Sequence, residues 1–287
     1  MTDRRSFREF LAEKLPGVDA SLLPRRAKMI GDVAIVRIQE RLADRGGEIG
    51  RAVFEFYSQA RTVLKINEIA GELRQPRVEY LAGERKTETV HKEYGCLYSL
   101  DAAKLMFCLG NSLERMRTAL RVRRWETVVD MFAGIGQFSI PVAVISRPRA
   151  VHAVELNPEA YGYLVRNIEL NKVDGVVHPY VGDCREIVPQ SLSGVADRVI
   201  MGFLRGTEKA LPAALAALRD VGGIIHFHEL AERNDWLEQL FSTIKSRAES
   251  LGYSVEMVSS RAVKSYSGRL IHGAVEVFAK PPKKMAP

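Results

Sequence analysis

The stretch Val128-Val129-Asp130-Met131-Phe132-Ala133-Gly134-Ile135-Gly136-Gln137-Phe138 limits the fold of this 287-residue chain more than any other. An apolar run passes straight into a glycine turn and then into a second apolar segment, 139–145. That order predicts a buried strand, a tight turn and the start of a helix. Gly134 and Gly136 allow positive φ and bring amide N–H groups up to a ligand with no Cβ in between. The new helix adds its own unpaired N–H groups. This is a ligand-binding turn.

The third glycine of the dinucleotide fingerprint is absent, Ser139 standing in its place, and no Lys-Ser/Thr follows as a P-loop requires. NAD and ATP are therefore weaker expectations. A second apolar strand, 150–155, ends in Glu155 ahead of Leu156-Asn157-Pro158, where doubly wound folds use an acid to accept hydrogen bonds from ribose. A third, 176–181, ends in Gly182-Asp183, an acid suited to an adenine amino group. Loop, ribose acid and adenine acid in this order look like the S-adenosylmethionine (SAM) site of class I methyltransferase-like enzymes. Asp183 can equally cap the next helix, and Asp130 can equally bond the glycine loop itself as well as a methionine amino group.

The length suits one large or two moderate domains, and two are expected: an N-terminal α+β domain over 1–119 and a Rossmann-like SAM-binding domain over 120–287. No apolar run is long enough to span a bilayer, and the charged start has no signal-peptide core behind it. A cytoplasmic protein is expected. Lys and Arg number 42 against 35 acids, a net +7 that suits a polyanionic partner. Cys96, Cys108 and Cys184 are odd in number and widely spaced, so neither a disulfide framework nor a zinc knuckle is indicated. His226 and His228 share a strand face but have no evident third ligand. They are expected in a core or cleft, and no metal is expected.

Along the chain, an amphipathic helix in 1–20 presents Phe7, Phe10, Leu11 and Leu15, and a basic entry carries Arg25, Arg26 and Lys28. A strand at 33–38 and a helix at 48–58 precede strands 63–66 and 77–81 of a mixed sheet. Glu93-Tyr94-Gly95 turns a hairpin within 87–101. Asn111 or Ser112 then caps a helix with Glu114 in its first turn. Arg117, Arg121 and Arg124 share a face if that helix continues. From Trp125 onward strands and helices alternate, which argues for a parallel sheet. The fourth strand is expected at 196–204, helices at 208–218 and 236–251 flank a strand at 224–228, and 254–258 with 273–279 close the domain as an antiparallel pair. The Lys280-Pro-Pro-Lys-Lys tail is expected to fray.

The motifs Asp130-Met-Phe-Ala-Gly-Ile-Gly-Gln-Phe-Ser-Ile-Pro141, Val154-Glu-Leu-Asn-Pro158, 167–171, Asp197-Arg-Val-Ile-Met201, Gly223-Ile-Ile-His226 and Val263-Lys-Ser-Tyr-Ser267 resemble those of the archaeal and eukaryotic tRNA enzymes that modify the purine just 3′ of the anticodon. One branch methylates guanine N1. The other, in wybutosine synthesis, transfers the 3-amino-3-carboxypropyl group of SAM to 4-demethylwyosine in phenylalanine tRNA. The methylating branch carries Asn-Leu-Pro after the fourth strand, whereas this chain has Gly202-Phe203-Leu204. Met106-Phe107-Cys108-Leu109-Gly110-Asn111 likewise resembles the Met-Phe-Ser-x-Gly-Asn pattern of the aminocarboxypropyl branch.

The resemblance implies SAM as co-substrate, held by Asp130, Phe132, Ala133, Gly134, Gly136, Phe138, Glu155, Asn157, Asp183 and Gly202. It implies Glu114 as proton acceptor, the alternative being a first-turn acid that only favours the helix dipole. Position and charge offer Arg85, His91, Asn111, Arg115, Arg117 and Arg121 as a tRNA surface, with Arg124, Arg25, Arg26 and Lys28 as further phosphate contacts, the alternative for each being an ordinary solvated polar residue. The expected activity is aminocarboxypropyl transfer. Guanine N1-methylation and a SAM-binding tRNA partner without catalysis are the alternatives.

Overall fold

The computed structural model describes residues 5–71 and 73–282. The first four residues and the Lys283-Lys284 end of the expected tail lie outside the described residues. The chain divides into two compact units, Met1–Leu109 and Gly110–Pro287.

In the first unit, α1 (Phe7–Lys14) starts at a capping box, in which the Ser6 hydroxyl accepts from the Glu9 amide and Glu9 accepts from the Ser6 amide. Its buried Phe7, Phe10 and Leu11 meet Ile49 and Val53 of α2 (Gly46–Phe56). The sheet is mixed, in the order β1 (Lys28–Ile30), β2 (Val33–Val36), β3 (Thr62–Ala70), β4 (Gln75–Gly83). Strands β2 and β3 run parallel because α2 carries the chain across between them; the other two pairs are antiparallel. A separate hairpin, β5 (Glu88–Glu93) and β6 (Cys96–Asp101), turns at Tyr94 and Gly95, both at positive φ (48° and 80°). That is the backbone a two-residue hairpin turn of matching twist requires.

The second unit begins with α3 (Ser112–Arg121) and continues with β7 (Thr127–Asp130), β8 (Ala150–Glu155), β9 (Val177–Val181), β10 (Arg198–Met201), β11 (Gly223–Glu232), β12 (Ser254–Ser265) and β13 (Leu270–Lys280). They form one seven-stranded sheet in the order β12-β13-β11-β10-β7-β8-β9. The five strands from β9 to β11 are parallel, and β13 runs antiparallel to both of its neighbours, β11 and β12. The chain runs outward from β7 to β9, then returns to place β10 on the other side of β7. Asp130 at the end of β7 therefore lies between Ala153 and Ile200, at the switch in strand order where α/β sheets open a ligand crevice. α7 (Leu211–Ala217) and α8 (Trp236–Glu249) bury Leu211, Leu215, Leu240 and Ile244 with Ile225, Phe227, Val275 and Val277. Between β8 and β10 run α5 (Pro158–Leu170) and α6 (Cys184–Ser191). No helix of the described residues is long and apolar enough to cross a membrane.

Several boundaries differ from expectation for local reasons. The segment after the glycine loop makes one α-turn, α4 (Ser139–Pro141), and continues as a π-turn over Val142–Ser146. Pro141 has no amide to bond back along the helix. The fourth strand stops at Met201, so Gly202-Phe203-Leu204 belong to the loop beyond it. The expected 208–218 helix splits into a 3-10 turn, Thr207–Ala210, and α7. α3 ends at Arg121 because Val122 is extended, which leaves Arg124 outside the helix and breaks the expected ridge.

An ion pair joins the starts of β7 and β10. Arg198 Nε and Nη2 donate to the two carboxylate oxygens of Glu126 at 2.6 and 3.0 Å, Nη2 also donates to the Arg121 carbonyl, and Nη1 meets His226. Both side chains are nearly sealed from solvent. Removing one partner strands a buried charge, so Glu126→Ala should cost about 3 kcal/mol or more of stability. Urea unfolding checks this, and a loss under about 1 kcal/mol would mean that Arg198 finds another partner.

Candidate functional site

The glycine loop is pinned on both sides. The Met131 amide donates to the Ile200 carbonyl of β10 at 3.0 Å, and the Ala133 amide to the Val154 carbonyl of β8 at 2.9 Å. Gly134 and Gly136 take φ of 57° and 95°. A Cβ on Gly136 would lie 2.6 Å from Ile140 Cγ1, so close packing also requires glycine there. The buried Asn167 amide donates to the Ile135 carbonyl at 2.9 Å. Asn167 was legible only as part of a motif, because its partner lies 32 residues away.

Two carboxylates flank this loop. Asp130 is fully buried; it accepts from the Ser139 hydroxyl at 2.6 Å and the Phe132 amide at 3.4 Å. Burial pushes its pKa up to about 6. Glu155 accepts from the Gly134 amide at 2.7 Å and the Asn157 amide at 2.8 Å, and burial raises its pKa too. Two crowded acids beside backbone with no Cβ suit a ligand that brings positive charge and hydrogen-bond donors. A sulfonium amino acid joined to a nucleoside is such a ligand, so the residues present fit SAM.

Asn157 and Asp183 lie at the ends of β8 and β9 but spend their side chains on helix caps. Asn157 accepts from the Glu159 amide at 3.0 Å and Asp183 from the Arg185 amide at 2.8 Å. The Arg185 guanidinium also grips Asp183, donating through Nε at 3.0 Å, and holds its carboxyl below the usual range. Opposite them, the loop after β10 meets the glycine loop. Phe203 stacks on Phe132, centroids 5.0 Å apart at 17°. A Cβ on Gly202 would lie 2.7 Å from Phe138 Cε2. The room left by a missing side chain at Gly202 is filled by the Phe138 ring.

On α3, Glu114 is 4% exposed, and its Oε2 has no hydrogen-bond partner among the described residues; Arg261 Nε stands 3.7 Å away. Burial raises its pKa. The neighbouring Arg115 is 1% exposed and donates to Gln137 of the glycine loop at 3.3 Å, tying α3 to that loop. Arg121 pairs with Glu276 and donates to Ser259 at 2.8 Å. Glu276 in turn meets His226 Nδ1 at 3.2 Å. Although burial opposes its charge, the His226 hydrogen bond and the Arg121 guanidinium hold Glu276 down at about 2.

These contacts change the expected RNA surface. Arg115 is interior and Arg121 is committed to a carboxylate, so neither is a free surface cation. Asn111 makes no side-chain cap; its carbonyl oxygen accepts from Lys264 Nζ at 2.7 Å. Arg117 is half-buried and Arg124 exposed. In the first unit, Arg85 is exposed, with its guanidinium 4.6 Å from the Tyr80 ring centroid. His91 accepts from the Gly31 amide at 3.2 Å and packs on Phe107, while Arg25, Arg26 and Lys28 are exposed. His226 and His228 are both core residues, and His228 bonds His272 at 3.0 Å.

Residues 89–256 match the TRM5/TYW2 methyltransferase domain, and residues 7–87 match the TYW2 N-terminal domain. The chain is 43% identical over 247 residues to the tRNA(Phe) (4-demethylwyosine(37)-C(7)) aminocarboxypropyltransferase of Methanocaldococcus jannaschii, covering 86% of this chain and 95% of that protein. The crystal structure of M. jannaschii TYW2 in complex with AdoMet matches with a TM-score of 0.72 at 37% identity, over 89% of this chain and 100% of that one. Wild-type Trm5b from Pyrococcus abyssi matches with a TM-score of 0.86 at 34% identity, over 98% of this chain and 82% of that one. Backbone shape alone does not separate the two kinds of relative.

The buried Asp130 has a linkage signature. Its folded pKa, about 6, exceeds the ordinary 3.8, so the fold disfavours the ionised form and stability falls as pH rises through that window. Asp130→Asn removes the titration. The stability of the variant relative to wild type should therefore increase by about 2 kcal/mol between pH 4.5 and 7.5. Urea unfolding at the two pH values checks this, and a difference independent of pH would mean Asp130 is not destabilised by burial.

Proposed function

The chain belongs to the TRM5/TYW2 methyltransferase family, and on that premise we propose that it transfers the 3-amino-3-carboxypropyl group of SAM to 4-demethylwyosine at position 37 of phenylalanine tRNA. SAM supplies a sulfonium whose γ-methylene is open to in-line attack. A carbon of the tricyclic base forms the new C–C bond, the C–S electron pair leaves with sulfur as methylthioadenosine, and the base carbon gives up its proton.

Gly202 carries this reading. The methylating branch resembled in the sequence has an asparagine there, but here a side chain would run into Phe138. The polar clamp on a target nitrogen is thus replaced by an aromatic wall. The selection among alkyl groups on sulfur then rests on which carbon lies in line with the nucleophile. Phe203 stacked on Phe132 adds a flat apolar face suited to a planar ring.

In this reading Asp130 and Glu155 receive the cationic and hydroxyl groups of SAM, on a cradle formed by Ala133, Gly134 and Gly136. Glu114 accepts the proton. A buried carboxylate oxygen with no hydrogen bond is costly to a fold, and it is what a proton acceptor needs; a tRNA-binding protein without chemistry would have no use for it. Arg25, Arg26, Lys28, Arg117 and Arg124 remain the cations for RNA phosphates, and the net charge of +7 agrees in sign. The setting is the cytoplasm.

The deciding measurement uses SAM labelled separately in the methyl and carboxyl carbons, with phenylalanine tRNA carrying 4-demethylwyosine and, in parallel, unmodified guanine. Carboxyl label should enter the tricyclic base; methyl label entering guanine would make the chain a methyltransferase instead. Glu114→Gln should lower kcat about 100-fold or more while SAM affinity stays within about threefold. Because burial raises the Glu114 pKa and the group must be ionised to accept a proton, wild-type activity should fall, as pH drops, at a point above the ordinary carboxylate range. An acid limb that persists unchanged in Glu114→Gln would remove Glu114 from the proton transfer.

A further inference from the structure

Beyond the last residue of β10, the chain makes a sharp loop, 202–206, before the helical turn at Thr207–Ala210. Arg205 and Gly206 both take positive φ, 71° and 104°. A non-glycine residue there is disfavoured and persists only where surrounding contacts impose it. The contact is Glu229. Strand β11 pairs with β10 as far as Phe227 opposite Met201 and then runs on, carrying Glu229 up beside the loop.

The Glu229 carboxylate accepts from the amides of Arg205, of Gly206 at 2.8 Å and of Thr207 at 2.9 Å, and also from the Leu230 amide at 2.8 Å. Each oxygen takes two donors, so the group's acceptor sites are filled by main chain. Three consecutive amides converge on one anion because the left-handed pair turns them inward, as in a backbone nest. The same carboxylate caps the Thr207 turn. The Thr207 hydroxyl is itself buried and has no hydrogen-bond partner among the described residues. On the other side of this anchor, three residues back, Phe203 lies on Phe132 and Gly202 against Phe138.

We propose that Glu229 is a positioning residue that, by clamping the amides of residues 205–207, holds the 202–204 loop against the glycine loop and thereby maintains the choice of group transferred from sulfur. The proposal rests on the reading that residues 202–204 govern that choice. The Glu229 carboxylate holds main-chain amides, and its effect on the reaction passes through Phe203 and Gly202.

The test uses the full chain with the two separately labelled SAM preparations and tRNA bearing 4-demethylwyosine, comparing wild type, Glu229→Gln and Glu229→Ala. Gln preserves shape but offers one acceptor oxygen and turns an N–H₂ toward the amides, so it releases part of the nest while keeping the packing. The expected result is a fall in kcat of about tenfold or more in Glu229→Gln, with SAM affinity within about threefold of wild type. Methyl label should rise above the wild-type background in the product, and hydrogen exchange at amides 205–207 should accelerate. Should Glu229→Ala fail to fold, Glu229→Gln carries the test. Unchanged exchange at those amides, or faster exchange with kcat and label partition like wild type, overturns the proposal. Failure of the underlying reading is separate, since it appears as methyl transfer by the wild-type protein.

Discussion

The catalytic edge of this protein depends on where β7 stops. Met131 and Ala133 each bond to a different neighbouring strand, so the chain leaves the sheet with its direction fixed on both sides. The two glycines then turn at once, at φ values closed to most residues. Asp130, the last strand residue, is left fully buried at the switch in strand order. A carboxyl there works against the fold, and the surrounding core of Val129, Val154, Val199 and Met201 offsets it. Local strain at a site with a stable support is a common arrangement where binding needs a charge ready in place.

A second constraint operates through α3, which buries polar residues and exposes apolar ones. Glu114, Arg115 and Thr118 face inward while Leu113 and Leu120 are 64% and 67% exposed. Apolar packing alone would place this helix the other way round. Charge holds it instead: Arg121 to Glu276, Glu276 to His226, and Arg198 to Glu126 and to the helix's own C-terminal carbonyl. Glu276 stays ionised because these partners outweigh its burial. The network ties α3 to β12 and β13 through Ser259 and Glu276, and Glu114 on the same helix is buried beside Arg261.

The sequence made the strand-turn-helix order legible wherever the physics is local. The Tyr94-Gly95 turn, the Ser6 box and the Gly134-Gly136 loop all declare themselves within a few residues. It misled where partners are distant. Arg117, Arg121 and Arg124 looked like a cationic ridge by spacing, but Arg121 meets Glu276, 155 positions away, and Val122 ends the helix before Arg124. His91 and Arg115, expected at an RNA surface, each place a polar atom against a distant partner, the Gly31 amide and Gln137. Nothing local marks Glu229, because its ligands are backbone amides, which look alike in every sequence.

Relatives named for two different reactions match this backbone, at TM-scores of 0.72 and 0.86, so the choice between those reactions does not lie in the fold. A sulfonium presents its alkyl carbons within a few ångströms of one another, and the carbon in line with the nucleophile reacts. In the proposed function the selector is the segment after β10: a glycine against Phe138, a phenylalanine stacked on Phe132, and no amide side chain for a target nitrogen. Such a selector needs no new catalytic group, only a rigid wall. Rigidity in a loop without regular secondary structure must come from outside it, and the two anchors are the ring stack at one end and the Glu229 carboxylate at the other. Given that residues 202–204 select the product, the residues that hold that wall belong to the chemistry as much as those that face it.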